Sequence, residues 1–218
     1  MRSVCAGFNK LTGTVPNSVG QILDLIWMGV DPNKLTGTII STIMQLSMIK
    51  KFSMAWKKLT GTFHSVSNHS NPMLLWIYFG SNFLTGTFTY EIFPLTIVDL
   101  PKNKINGTIP KTIGNLRKLK WIHLGKNEIS GSIPGNIFKL TYIYYRLRLN
   151  KNILEGMMPH NVSNLWNFLL FYLSSNQLTG TIISGMSELK RLELMFLNEN
   201  NLNGTLTSAL DDLPFLRE

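Results

Sequence analysis

Apolar residues recur along the chain in a fixed order that predicts one short strand in about every 24 residues. Pairs separated by one residue, such as Ile122 with Leu124 and Leu147 with Leu149, alternate with polar residues. This period of two is typical of a strand with one buried face. Two further apolar positions precede each pair, so every unit of the pattern contributes several side chains to a common core.

An asparagine and a glycine follow each pair at fixed distances, and the glycine stands four residues after the asparagine. The glycines are separated by 24, 24, 25, 21, 24, 25, 24 and 24 residues. They are Gly13, Gly37, Gly61, Gly86, Gly107, Gly131, Gly156, Gly180 and Gly204. The asparagines are Asn9, Asn33, Asn82, Asn103, Asn127, Asn152, Asn176 and Asn200, and Lys57 takes the place of the third. We expect each asparagine amide to bond the backbone groups that turn the chain off the strand.

This order resembles the leucine-rich repeat, and more narrowly its plant-type subclass of about 24 residues, which has the pattern L-x-x-L-x-L-x-x-N-x-L-x-G-x-I-P. The closing apolar-Pro pair is present at Val15-Pro16, Ile109-Pro110 and Ile133-Pro134. The resemblance implies an α/β-type solenoid of about nine repeats. Its arc would carry a parallel β-sheet on the concave face and irregular or 3-10 segments on the convex face. We expect residues 1–218 to form a single array, and we interpret the absence of cysteine-paired caps as the mark of a fragment.

The concave face is the predicted binding surface. Side chains six, four and two residues before each asparagine would face it, because alternate residues of a strand point to opposite sides. Many of them are aromatic or basic, and exposed aromatics are common anchors of recognition. The alternative is that they shield one another or cover the edges of the core. The predicted ligand contacts are Trp76, Tyr78, Trp121, His123, Arg146, Arg148, Tyr172 and Phe196.

The net positive charge of the chain comes from three repeats. The net charge is +9, and residues 102–151 alone contain eleven Lys or Arg residues and one acid, Glu128. Such a patch favours an anionic partner, although a solvated surface would explain it too. The lysines that directly precede an asparagine on the concave side form the predicted basic patch: Lys102, Lys126 and Lys151.

Arg146-Leu147-Arg148 is the sharpest local signal. Both guanidinium groups would project from one strand, about 7 Å apart, while Leu147 enters the core. Forked donors of this kind suit a carboxylate. The pair looks like the R-x-R motif with which some plant peptide receptors hold the C-terminal carboxylate of a ligand. Ordinary surface arginine is the alternative.

Other classes of function find little support in the residues. No phosphate loop, nucleophile elbow, kinase signature or metal-spaced cluster is present, so we expect no catalytic residues, metal or cofactor. A single cysteine excludes a disulfide scaffold. No module for nucleic acid is recognisable. The apolar runs are too short to span a membrane, and residues 1–30 do not form a secretory signal. His123 would lie alone on the concave face.

The resemblance implies a recognition module of a receptor-like kinase or receptor-like protein at the cell surface. Its ligand would be a peptide, a protein or an acidic saccharide, and a co-receptor is a candidate partner. A stand-alone secreted protein, such as an inhibitor of cell-wall hydrolases, is the alternative. A third hypothesis, ice binding, comes from threonines that flank the repeat glycines. If the chain is secreted, the candidate glycosylation sites are Asn68, Asn106, Asn161 and Asn203.

Overall fold

A computed structural model describes residues 1–217 apart from 41, 44–45, 56–57, 64–72, 89–94, 144–145, 161–167 and 207–209. Within these residues the chain forms sixteen short strands. In chain order they are β1 (Ser3–Cys5), β2 (Thr12–Thr14), β3 (Trp27–Gly29), β4 (Lys34–Thr38), β5 (Lys51–Ser53), β6 (Lys58–Thr60), β7 (Trp76–Tyr78), β8 (Ile97–Asp99), β9 (Trp121–His123), β10 (Ser130–Ser132), β11 (Arg146–Arg148), β12 (Ile153–Met157), β13 (Leu170–Tyr172), β14 (Gln177–Gly180), β15 (Leu194–Phe196) and β16 (Asn201–Leu202).

The main sheet is parallel and lines the concave face. Its nine strands in the described part of the chain follow the order β1-β3-β5-β7-β8-β9-β11-β13-β15, so each repeat adds one strand beside the last. The register is constant, with the first residue of each strand opposite the first residue of the next, as in Ile97↔Trp121 and Trp121↔Arg146. Equivalent residues of successive repeats therefore form rows that run along the solenoid.

Two smaller parallel sheets lie beside the main one, on the segments that contain the repeat glycines. They have the strand orders β2-β4-β6 and β10-β12-β14-β16. Single β-bridges connect the repeats between them, at Thr62↔Thr85, Thr87↔Asn106 and Thr108↔Ser130. The predicted strand of each repeat is thus followed by a second, less regular one.

Short 3-10 helices occupy the convex side, as the sequence predicts. The described residues contain four 3-10 helices, each five residues long, and three of these helices directly follow a proline. They are Asn17–Gln21, Lys111–Asn115, Gly135–Lys139 and Ser184–Glu188. The fourth follows Ile183, whose φ of −76° and ψ of 141° match those of the prolines. Loss of the closing proline therefore does not remove the helix.

The core is a continuous column of the periodic apolar residues. Ile122, Leu124 and Leu149 are fully buried, and Leu147 is 1% exposed, as the pattern predicts. Each unit shares these contacts with its neighbours, so a repeat alone could not bury its apolar face. The unit with only 21 residues between its glycines keeps this arrangement, since β7 and β8 pair in the usual register.

The asparagines form a hydrogen-bonded ladder between the repeats. Asn127 is typical: its Nδ2 donates to the carbonyls of Leu124 at 2.9 Å and of Leu100, in the preceding repeat, at 3.0 Å. Its Oδ1 accepts from the N–H of Ile105 at 3.0 Å. The side chain is 9% exposed, so these bonds satisfy polar groups that water does not reach.

Candidate functional site

The predicted contact residues all lie on the concave sheet. They occupy the first or third position of their strands, on either side of a central residue that is buried in β7, β9, β11 and β13 and half-buried in β15. Trp76 and Tyr78 belong to β7, and Trp121 and His123 to β9. The two arginines form the ends of β11, and Tyr172 and Phe196 end β13 and β15.

The two arginines of β11 are each held against an aromatic ring of a neighbouring strand. The Cζ atom of Arg146 lies 5.1 Å from the ring centroid of Trp121, and that of Arg148 lies 4.5 Å from the centroid of Tyr172. These rings belong to the register partners of the arginines on opposite sides. Neither guanidinium forms an ion pair in the described part of the chain. Cation–π contact therefore orients two positive charges that have no internal counter-ion.

The sequence predicts that His123 lies alone on the concave face. This prediction is wrong, because His123 is paired with Asp99. Its Nδ1 lies 2.9 Å from Oδ1 of Asp99, the register partner on β8, and both side chains are about one fifth exposed. The sequence contains the signal, since both residues stand four positions before a repeat asparagine. Burial, and secondarily the negative charge of Asp99, raise the pKa of the Tyr78 phenol above its usual value.

A cavity of about 440 Å³ opens on the concave face around these residues. Its lining includes Asp99, Trp121, His123, Arg148 and Tyr172. Four of them are predicted contacts, and Asp99 is the one that sequence reasoning missed. The other predicted contacts lie outside the lining, although Phe196 stacks on Tyr172 with ring centroids 4.7 Å apart.

Two of the three lysines of the predicted basic patch lie at the rim of the cavity. Lys102 and Lys126 line it, and Lys151 does not. All three are exposed and have positive φ angles of 55°, 58° and 57°, because the chain turns sharply where each strand ends. Other basic residues of this region, such as Lys111 and Arg117, lie in or directly after a 3-10 helix, away from the concave strands.

A second group of cationic and aromatic residues lies nearer the N-terminus. Lys51, at the start of β5, has Trp27 and Trp76 as its register partners. Its Nζ atom lies 5.8 Å from the ring centroid of Trp27 and 3.6 Å from that of Trp76. Of these three residues, only Trp76 is a predicted ligand contact. The signal was available, because all three occupy the same position of successive repeats.

Comparison with known proteins identifies the architecture. A family model for the leucine-rich repeat matches residues 94–116 and 118–140. The chain is also similar to the Arabidopsis receptor kinase HAESA, solved in complex with the peptide hormone IDA and the co-receptor SERK1, with a TM-score of 0.93 and 26% identity. That match covers 99% of this chain and 36% of HAESA. The chain thus has the architecture of a leucine-rich repeat solenoid.

Two further solved structures have the same architecture. The HAESA ectodomain, solved with an N-terminally extended IDA peptide, has a TM-score of 0.92 and 25% identity, and the match covers 98% of this chain and 36% of HAESA. A plant ice-binding protein has a TM-score of 0.66 and 21% identity, and the match covers 95% of this chain and 76% of that protein. This similarity shows the fold alone. The chain spans about a third of the length of HAESA. No curated protein sequence matches this chain.

The threonines beside the repeat glycines have a role inside the leucine-rich repeat array. A Cβ atom added at Gly37 would lie 2.7 Å from Cγ2 of Thr14, and one at Gly107 would lie 2.7 Å from Cγ2 of Thr87. The threonine methyl groups thus pack over the glycines of the next repeat. Ser132 and Met157 interrupt the row between Thr108 and Thr181. Ice binding through this row stays a hypothesis.

The remaining predicted features fall partly outside the described residues. Asn106 and Asn203 are exposed, whereas Asn68 and Asn161 lie outside the part of the chain that the structure describes. No helix within the described ranges is long and apolar enough to cross a membrane. Among the same residues no group of His, Cys, Asp or Glu side chains is arranged to hold a metal ion.

Proposed function

We propose that this chain is the ligand-recognition module of a receptor-like kinase or receptor-like protein, and that it binds a peptide or protein on its concave face. The arginines of β11 carry the proposal. They are half-buried and are oriented by Trp121 and Tyr172. Neither forms an ion pair with a carboxylate of the described residues. A carboxylate of the ligand would supply the missing counter-charge.

The lining of the cavity supports an acceptor-bearing ligand. Nε1 of Trp121 and Nε of Arg148 are buried and have no hydrogen-bond partner among the described residues. A buried donor without a partner costs about 1–3 kcal/mol, so a ligand oxygen that accepts from either one would recover part of that cost. Tyr172 and Phe196 would provide apolar contact area beside these donors.

The comparison with HAESA supports the same class of ligand, because that receptor was solved with a peptide hormone and a co-receptor. The proposal therefore includes a co-receptor and a cell-surface location for this chain. The leucine-rich repeat fold is a binding scaffold, and the proposal assigns it no catalytic role.

The test is binding of a peptide library with free C-terminal carboxyl groups to the purified chain. A hit should weaken at least tenfold when its C-terminus is amidated and when Arg146→Ala and Arg148→Ala are combined. The control is Lys10→Ala combined with Arg191→Ala, which removes two positive charges from exposed positions outside residues 102–151 and off the concave strands. Equal binding by all three proteins would refute the assignment of the arginines.

A further inference from the structure

The geometry around Lys51 points to a second anion-binding anchor on the concave face. We propose that the ligand is an acidic peptide with a side-chain carboxylate, held by Lys51, about six residues before the C-terminal carboxylate held by the arginines of β11. This inference rests on the proposed function and adds the position of a second charge to it.

The ammonium group of Lys51 is fixed in place by its neighbours. Trp27 and Trp76 flank it, with Nζ at 5.8 Å and 3.6 Å from their ring centroids. Lys51 is half-buried and forms no ion pair in the described part of the chain. Lysine normally loses substantial side-chain entropy when it binds an anion. The two indole rings have already restricted Lys51, so its ordering cost on binding is smaller.

The site remains accessible from the concave side. Trp27 is 43% exposed, and Trp76 is half-exposed. A ligand carboxylate can therefore approach the ammonium group while apolar atoms beside it contact the indoles. A single cation between two rings suits one carboxylate on a short stem. The forked arrangement of β11 suits a carboxylate that can accept from two donors.

The distance between the two anchors follows from the order of the strands. Lys51 and Arg146 are both first residues of their strands, and the sheet order β5-β7-β8-β9-β11 separates them by four strand spacings. At about 4.8 Å per spacing, the two positions lie about 19 Å apart along the sheet. An extended peptide covers about 3.3 Å per residue, so about six residues separate the two carboxylates.

The surface between the anchors disfavours an acid at the midpoint. β8 lies two spacings from each anchor, and its third residue is Asp99. A ligand acid about three residues before the C-terminus would lie near this carboxylate, which already pairs with His123, and like charges repel. The concave face thus distinguishes the position of an acidic residue, as well as its presence.

The experiment uses ten-residue peptides of neutral sequence, each with a free C-terminus and one aspartate placed three to eight residues before it. Titration calorimetry with the full chain should give the tightest binding for the aspartate at six, about tenfold over the peptide without aspartate. The aspartate at three should bind no better than that neutral peptide. Lys51→Met should remove the preference while keeping the methylene stem between the indoles, and Lys51→Arg should retain it.

The control variant is Lys34→Met, which removes an exposed lysine from β4, outside the main sheet. Thermal unfolding of each variant shows whether the array is intact. If every placement of aspartate binds equally and Lys51→Met changes nothing, while amidation of the C-terminus still weakens binding, the second anchor is refuted and the proposed function stands. If amidation of the C-terminus has no effect either, both the second anchor and the proposed function are refuted. A linear oligouronate that binds more tightly than every peptide would overturn the assignment of a peptide ligand.

Discussion

At the scale of the residue, the repeat glycines are fixed by two independent constraints. Gly107 has a φ of +74°, a conformation that is costly for residues with a Cβ atom, and that atom would meet the Thr87 methyl at 2.7 Å. Gly135, at the start of a convex 3-10 helix, has neither constraint, because an added Cβ would meet only Pro159 at an ordinary 3.7 Å.

We therefore expect Gly107→Ala to lower the free energy of unfolding by about 1–3 kcal/mol. Gly135→Ala should leave it unchanged or raise it slightly. Denaturant titration of both variants checks this. A Gly107→Ala variant as stable as the original chain would show that the turn can relax without cost.

Tyr78 supports a prediction about alkaline pH. Because burial and Asp99 raise its pKa, the folded state holds the phenol proton more tightly than the unfolded chain does. The contribution of Tyr78 to the free energy of unfolding should be constant below about pH 10 and should fall as pH rises through the range between its unfolded and folded pKa values.

Asp99→Asn should lower the pKa of Tyr78 only in part, since burial remains the larger cause. Phenolate absorbance measured against pH would follow the titration, and Tyr78→Phe would assign it. A midpoint that does not respond to Asp99→Asn would show that burial alone produces the shift.

At the scale of the element, periodicity predicts the architecture because one rule repeats. The positions of Ile122 and Leu124 in the core, and of Asn127 in the ladder, follow from counting residues. The Asp99–His123 pair was also within reach, since rows of equivalent residues are known once the register is known. The rows also place each cation beside its aromatic partner, but they do not give the contacts themselves, because the rotamers of Arg146 and Arg148 depend on how neighbouring rings share limited space.

The repeats between residues 57 and 100 should be the least stable part of the array. Lys57 replaces a ladder asparagine, and Asn71 stands where the pattern expects a core leucine. Positions 57, 64–72 and 89–94 of this stretch lie outside the described residues. We expect backbone amides of β7 to exchange hydrogen faster than those of β9 and β11.

Hydrogen-exchange mass spectrometry measures this difference, and Lys57→Asn should reduce it by restoring the amide side chain. Uniform protection along the array would mean that the remaining asparagines compensate for the missing one.

At the scale of the whole molecule, positive charge is concentrated on one segment. The net charge of residues 102–151 is +10, against +9 for the entire chain. Charges on both faces of this segment contribute to the long-range field, whereas only concave residues can contact a ligand there. The association rate and the strength of the bound contact should therefore depend on different residues.

We expect Arg117→Ala combined with Lys118→Ala to slow association with an acidic peptide at low salt and to leave dissociation unchanged. The effect should disappear near 1 M salt, where the screening length falls to about 3 Å. Stopped-flow rates at several salt concentrations test this, with Arg146→Ala and Arg148→Ala expected to accelerate dissociation. Slower association at every salt concentration would contradict an electrostatic origin.

The constant register of the main sheet has a consequence for how such a protein changes over generations. Duplication or loss of one whole unit between β5 and β11 would move the two anchors by one strand spacing, about 4.8 Å, and would alter the matching ligand by one or two residues. Duplication or loss of a unit outside that interval would leave the distance between the two anchors unchanged. Gene rearrangements that add or remove whole repeats would thus change the distance between the anchors, and with it the preferred peptide length, in fixed steps.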